Sequence, residues 1–153
     1  IAKGIGGGFP VGAFLLTAAV AKAMTPGTHG STFGGNPLAM AVGSEVLDIV
    51  LEPGFLDGVA LKANRLKQAL AGLHDQFPGV IAEVRGEGLL MGLRLHPPVA
   101  EAVKAAIGEK LLTVGAGENV MRILPPLNVS AEEIDEAVHR LARAIKTLSN
   151  KKA

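Results

Sequence analysis

Apolar side chains recur every three or four residues over four stretches of the chain, a spacing that is typical of helices with a buried face. One helix is predicted at 36–51, where an asparagine N-cap is followed by a proline at the first helical position. Others are predicted at 56–77, after Pro97-Pro98 to about Leu112, and from Ser130, which starts the capping box Ser-Ala-Glu-Glu. Helix 36–51 is apolar on nearly every side, so we expect most of its surface to be buried.

Continuous apolar runs predict strands at 11–16, 80–84, 89–95 and 119–124. The run at 11–16 has the character of a buried strand. The next two runs flank Gly86-Glu87-Gly88, a short link that favours an antiparallel hairpin. The last run is ended by two prolines.

The order of these elements predicts two parts, residues 1–54 and residues 55–153. The first part also holds a short alanine-rich helix at 18–24 and Thr25-Pro26-Gly27-Thr28, which fits a type II turn. The second part follows the order of an α+β domain. Because the chain starts with isoleucine and not methionine, we expect it to be a piece of a longer protein.

Composition narrows the function classes. The 153 residues are 48% hydrophobic and 19% charged, with a net charge of +1. The sequence contains no stripe of basic residues of the kind that binds nucleic acid or a membrane surface. No apolar run reaches the roughly 20 residues of a membrane span. There is no cysteine, which excludes disulfides and thiolate metal sites and is compatible with a reducing compartment such as the cytoplasm. The four histidines lack metal-ligand spacing, so no metal site is predicted.

Lys3 stands at the start of a glycine-rich turn and is the first candidate for chemistry. Glycines leave such a lysine approachable by a bulky planar ligand, and a lysine amine becomes a nucleophile where its site disfavours the ammonium form. The alternative is a solvated surface lysine beside a flexible loop.

The segment from His29 to Ala39 is the second candidate. Ser31 and Thr32 lie beside two glycines and the start of helix 36–51, and hydroxyls, backbone N–H groups and a helix N-terminus together favour a phosphate. The alternative is an ordinary loop rich in Ser, Thr and Gly.

Four segments together resemble one family, the class III (ornithine-type) aminotransferases. They are AKGIGGGFPVGA at 2–13, THGSTFGGNPLA at 28–39, VRGEGLLMG at 84–92 and NVMRILPPL at 119–127, and they occur in the order of the family signatures. The resemblance implies a fold-type I, α/β enzyme that depends on pyridoxal 5'-phosphate. Residues 1–54 would then be the end of the large cofactor-binding domain with a dimer-interface segment, and residues 55–153 the small α+β C-terminal domain.

The same resemblance implies roles for single residues. Lys3 would be the Schiff-base lysine and the base that moves a proton during catalysis, and Thr32 would donate its hydroxyl to the cofactor phosphate across a homodimer interface, with Ser31 as a helper. Arg122 would hold the α-carboxylate of the amino-acid and 2-oxo-acid substrates. Its position near the end of a strand suits a cleft, although a lone arginine there is more often a surface residue. Arg85, beside Gly86, is expected to fix the hairpin and not to contact substrate.

Alternatives remain within and outside the family. The amine donor could be ornithine, succinylornithine, succinyldiaminopimelate or 4-aminobutyrate, or the chain could be a non-catalytic relative retained for dimerisation or binding. The resemblance also implies cofactor contacts in a region before residue 1. We therefore expect the isolated 153 residues to have little or no activity.

Overall fold

The computed structural model describes residues 1–150, which divide into one compact unit at Ile1–Leu56 and a second from Asp57 onward. The first unit contains a 3-10 turn at Lys3–Gly6, helix α1 at Ala18–Ala21 and helix α2 at Pro37–Leu51. As predicted, Asn36 caps α2: its side-chain oxygen accepts a hydrogen bond from the Ala39 N–H at 2.9 Å.

Helix α2 differs from the prediction in its burial. Ala39 is the only buried residue of α2, whose residues are all described by the structure. Leu38 is 61% exposed and Leu51 is 70% exposed. The expectation of burial on most sides is wrong for these residues, because an apolar helix is covered only where another layer packs on it. Within the first unit the 3-10 turn is the element that contacts α2.

The strand expected at 11–16 is also not formed. The segment has no helical or strand assignment, and it is attached through Ala13, which exchanges two backbone hydrogen bonds with Ile1 at 2.6 and 2.8 Å. A strand needs a ladder of such bonds to a neighbour, and residues 1–150 provide this segment with one pair. The turn at 25–28 is confirmed, with Gly27 at φ 88° and the Thr28 N–H bonded to the Thr25 carbonyl at 3.1 Å.

The second unit is an antiparallel sheet covered by helices, as the α+β prediction requires. Its strands are β1 at Ile81–Glu87, β2 at Leu90–Leu95, β3 at Val114–Ala116 and β4 at Val120–Ile123, in the spatial order β1-β2-β4-β3. The predicted hairpin is confirmed, but β1 continues through Glu87, so its turn is Gly88-Leu89. Strand β3 was not predicted, because three residues that include a glycine give no apolar pattern.

Three helices complete this unit: α3 at Phe55–Gln76, whose first two residues belong to the first unit, α4 at Val99–Gly108 and α5 at Ala131–Ser149. Their apolar faces share one core with the inner face of the sheet, as the spacing predicted; its large and fully buried side chains include Leu66, Leu70, Ile81, Met91, Leu93, Met121, Ile134, Leu141 and Ile145. The predicted capping box at Ser130 is present in both directions. No helix within residues 1–150 combines the length and apolar character needed to cross a membrane.

Asn119 joins the strand that carries Arg122 to the rest of the sheet. Its side-chain N–H groups donate to the carbonyls of Leu95 at 2.6 Å and Pro97 at 2.8 Å, and its oxygen accepts from the Val99 N–H at 2.7 Å. Its backbone has φ 59°, a left-handed conformation that asparagine tolerates better than most residues. One residue therefore fixes the start of β4, the end of β2 and the start of α4.

Replacing Asn119 is expected to destabilise the fold in two separable ways. Asn119→Ala removes three hydrogen bonds and keeps a β-carbon in a left-handed backbone that alanine tolerates less well than asparagine, so the free energy of unfolding should fall by about 2–4 kcal/mol. Asn119→Gly removes the same bonds without that strain and should lose about 1 kcal/mol less. Urea denaturation of the two variants measures both values; equal losses would show that the left-handed backbone contributes nothing.

Candidate functional site

Lys3 is the first residue of the 3-10 turn, and its side chain is exposed. Its φ of 63° is uncommon for a residue with a side chain, and such conformations are concentrated at functional sites. The turn ends at Gly7, whose N–H bonds to the Gly4 carbonyl at 3.0 Å. The lysine is thus presented outward by a short and defined turn, not by a flexible loop.

The glycines after Lys3 serve two purposes. Gly6 and Gly7 make close packing possible, because a β-carbon there would lie 2.6 Å from Val11 Cγ1 and 2.9 Å from Val46 Cγ2, respectively. Gly4 and Gly8 have open space where a side chain would stand. The packing glycines anchor the turn against α2, and the open ones leave room beside the lysine for a planar ligand.

Ser31 and Thr32 lie in an exposed loop that leads to α2. The Gly34 N–H bonds to the Ser31 carbonyl at 3.3 Å, and the Asn36 side-chain N–H bonds to the Phe33 carbonyl at 2.8 Å, so the loop is folded back on itself. Within residues 1–150 neither hydroxyl forms a hydrogen bond. Both are therefore available to a ligand, as a phosphate-binding loop requires. The structure shows no hydrogen bond between this loop and Lys3.

Arg122 lies on β4 in the second unit, with an exposed side chain. In the register of the sheet it is opposite Gly92 of β2 and Val114 of β3. Each other arginine of the chain pairs with a carboxylate: Arg65, Arg85, Arg94, Arg140 and Arg143. Arg122 forms no ion pair with any described residue, so its guanidinium is available to an anion from outside.

Two ion pairs lie on the same face of the sheet as Arg122. Arg85 donates to Glu118 at 2.8 Å, and Arg94 donates to Glu83 at 3.0 Å. The hydrogen bond from Arg85, followed by its positive charge, holds the pKa of the Glu118 carboxyl below its ordinary value. Arg85 thereby links β1 to the turn between β3 and β4, and not to the β1–β2 turn that it was expected to fix.

The predicted site residues belong to both units: Lys3, Ser31 and Thr32 to the first, and Arg122 to the second. The sequence did not point to Asn119, which holds the start of β4, or to Gly92, which lies opposite Arg122. Both occur in the segments 84–92 and 119–127, and that was the signal available. No group of three or more metal-binding side chains comes together within residues 1–150.

Comparison with known proteins places these residues in a family. The family described as aminotransferase class-III matches residues 1–145. The acetylornithine aminotransferase of Brucella melitensis is 54% identical over 149 residues, which are 97% of this chain and 37% of that protein. The solved structure of N-acetylornithine aminotransferase from Stenotrophomonas maltophilia superimposes with a TM-score of 0.82 at 34% identity, over 96% of this chain and 38% of that one.

A second solved structure is more distant. The ornithine aminotransferase of Toxoplasma gondii matches with a TM-score of 0.77 at 30% identity, over 88% of this chain and 32% of that one, and it is described with partial occupancy of PLP at its active site. The fold and the four ordered segments are those of the class III aminotransferases, which depend on pyridoxal phosphate. The chain belongs to the class III aminotransferase family. It spans about two fifths of the length of the curated relatives that it matches.

Proposed function

We propose that this chain is part of an aminotransferase that moves the amino group of N-acetylornithine to 2-oxoglutarate, a step of arginine biosynthesis. The observation that carries the proposal is the match over residues 1–145 to class III aminotransferases, with relatives at 54% identity that are acetylornithine aminotransferases. Lys3, Thr32 and Arg122, the residues to which the family signatures assign chemistry, are all present. Their presence disfavours a non-catalytic relative.

Pyridoxal 5'-phosphate fits what the first unit offers. Lys3 is exposed on a turn with open space at Gly4 and Gly8, and Ser31 and Thr32 hold free hydroxyls in front of a helix N-terminus. An amine for the aldehyde and hydroxyl donors for the phosphate are the two kinds of group that this cofactor needs. We infer that Lys3 holds the cofactor covalently and that Thr32, with Ser31, donates to its phosphate.

Bound pyridoxal phosphate supplies an electron sink that stabilises negative charge at the substrate carbon beside the amine. Lys3 Nζ then takes the proton from that carbon. Lys3 would thus both hold the cofactor and serve as the base, and a positioned base of this kind accelerates proton transfer by about 10²–10⁴.

Arg122 supplies the recognition of the substrate. A guanidinium offers two parallel N–H donors that match a carboxylate. Because Arg122 forms no ion pair with a described residue, no such pair has to break when it binds a substrate. We infer that Arg122 holds the carboxylate of the amino acid or of the 2-oxo acid and so fixes the orientation of the reacting carbon.

A homodimer is part of the proposal, with Thr32 reaching the partner's site. The first unit exposes large apolar side chains on and next to this loop, including Phe33 at 80% and Leu38 at 61%. Exposed apolar surface of this kind is typical of protein interfaces. We assign the enzyme to the cytoplasm, in agreement with a chain that contains no cysteine.

Ornithine is the second candidate for the amine donor. The solved structures similar to this chain include ornithine aminotransferases, among them one from Plasmodium falciparum at 28% identity and a TM-score of 0.83. The higher identity to acetylornithine aminotransferases favours N-acetylornithine. Succinylornithine, succinyldiaminopimelate and 4-aminobutyrate are further donors within the same family resemblance.

An assay with several amine donors tests the proposal. The assay uses the full-length protein, which is a polypeptide as long as the relatives that contains this sequence. It is supplied with pyridoxal phosphate and 2-oxoglutarate. We expect kcat/KM to be highest with N-acetylornithine. A higher value with ornithine or 4-aminobutyrate would reassign the donor, and no glutamate formation with any donor would refute the aminotransferase.

The 153 residues alone are expected to show little or no transamination under the same conditions. The relatives are longer, and the resemblance places further cofactor contacts in a region before Lys3. Steady-state assay of the 153-residue chain beside the full-length protein provides the comparison. Turnover by the short chain at a rate near that of the full-length protein would show that it contains the whole catalytic apparatus.

A further inference from the structure

Gly92 is the last residue of the segment 84–92, and the proposed function gives it no role. The sheet places it between two arginines, because it is opposite Arg85 on β1 and opposite Arg122 on β4. Directly opposed residues in a sheet have β-carbons about 5 Å apart. On this face of the sheet, the position between Arg85 and Arg122 therefore carries no side chain.

Val120 occupies the space that Gly92 leaves. A β-carbon on Gly92 would lie 2.8 Å from Val120 Cγ1, which is closer than such atoms approach. Val120 is only 6% exposed although it shares a face with charged residues, and the Arg85 side chain also approaches this position, at 3.9 Å from the same point. The valine is thus seated in the sheet surface and has little free space around it.

A shallow cavity of about 310 Å³ opens above this pair. Its charged lining residues are Arg85, Arg122 and Glu87, and the small residues Gly92, Ala116 and Val120 also line it. Arg85 is already paired with Glu118, so Arg122 is the guanidinium in this cavity that is free to bind an anion. Small residues below a free guanidinium leave room for a flat group such as a carboxylate.

We propose that Gly92 is a positioning residue for substrate binding: it lets Val120 sit low in the sheet, which keeps the place beside Arg122 open for the substrate carboxylate. This proposal rests on the proposed function of Arg122. A side chain at position 92 would force the Val120 isopropyl group to move, and because both residues line the cavity, we expect the movement to narrow it. The ligand class is the carboxylate of an amino acid or a 2-oxo acid.

The test combines two substitutions in the full-length protein. Gly92→Ala should raise KM for 2-oxoglutarate about tenfold, with kcat within about twofold, because binding is obstructed while the chemistry is not. Gly92→Ala combined with Val120→Ala removes the displaced isopropyl group, so KM should return to within about threefold of the unsubstituted value. The dissociation constant of glutarate, an unreactive dicarboxylate, measured by titration calorimetry, should follow the same pattern.

Gly115→Ala is the matched control. It adds the same methyl group to β3, where the nearest atom is Val99 Cγ1 at an ordinary 3.5 Å, and Gly115 does not line the cavity. KM and glutarate binding should not change. A generally weakened fold would instead lower the melting temperature of Gly92→Ala without changing the binding of glutarate.

The outcomes separate the two proposals. If the unsubstituted protein does not transaminate, the proposed function fails, and glutarate binding alone then decides the role of Gly92. Unchanged KM and unchanged glutarate binding in Gly92→Ala would overturn the inference. So would a double variant that binds glutarate as poorly as the single one, because the effect would then not act through Val120.

Discussion

Lys3→Ala in the full-length protein is expected to abolish the absorbance of the lysine-linked cofactor and to lower kcat at least about a thousandfold. The physical reason is that one nitrogen performs two tasks, holding the cofactor and moving the proton of the substrate carbon. Lysine and alanine both carry a β-carbon, so the substitution leaves the backbone cost of the φ of 63° nearly unchanged. Loss of activity would then report on the amine and not on the turn.

Lys22→Ala is the control for this experiment, since Lys22 is an exposed lysine of the same unit at the end of α1. It should retain both the cofactor absorbance and the rate. Borohydride reduction of the unsubstituted protein, followed by peptide mass mapping, should place a phosphopyridoxyl group on Lys3. An adduct on a different lysine would defeat the assignment of the catalytic amine.

Arg122→Gln is expected to raise KM for 2-oxoglutarate by about tenfold to a hundredfold, with no loss of thermal stability. A charge-assisted, two-point contact to the carboxylate is lost, and hydrogen bonds to charged groups are among the strongest in proteins. Stability should be unaffected, because Arg122 is exposed and pairs with no described residue. Arg122→Lys should recover part of the affinity only, since an ammonium is a point charge and cannot form the two parallel bonds.

Arg94→Gln provides the comparison for Arg122. Arg94 lies on the same face of the sheet but is paired with Glu83 at 3.0 Å and does not line the cavity. Its loss should leave KM within about twofold, because exposed ion pairs contribute little. If the Arg94 and Arg122 variants changed KM equally, the face would attract the substrate by its general charge and not through one specific residue.

The local structure of the second unit was predictable from the sequence. Helices α3 and α5 and the hairpin β1–β2 were expected within a few residues of where they lie, since amphipathic spacing, the capping box at Ser130 and the glycines after Arg85 act over short distances. The Asn36 cap and the turn at Gly27 in the first unit were predictable for the same reason. These features depend on residues that are neighbours in the chain.

The errors concern features that need a distant partner. Residues 11–16 have the composition of a buried strand, and α2 that of a buried helix, but burial and strand pairing require a second layer that residues 1–150 do not place there. Strand β3 was missed because its pairing with β4, not its own sequence, makes it a strand. Pattern alone indicates what a segment can become, and its neighbours decide whether it does.

The candidate site divides in the same way. The sequence by itself determined the family, the lysine turn, the hydroxyl loop and the arginine, because each is a short run of residues whose chemistry is fixed by their identity. Only the tertiary structure decided that five arginines are neutralised by carboxylates while Arg122 is not, and that Gly92 lies opposite it with Val120 in the gap. Ion pairing and the free space beside a side chain depend on residues that meet across neighbouring strands. These residues are far apart in the sequence, so the sequence alone does not reveal which of them meet.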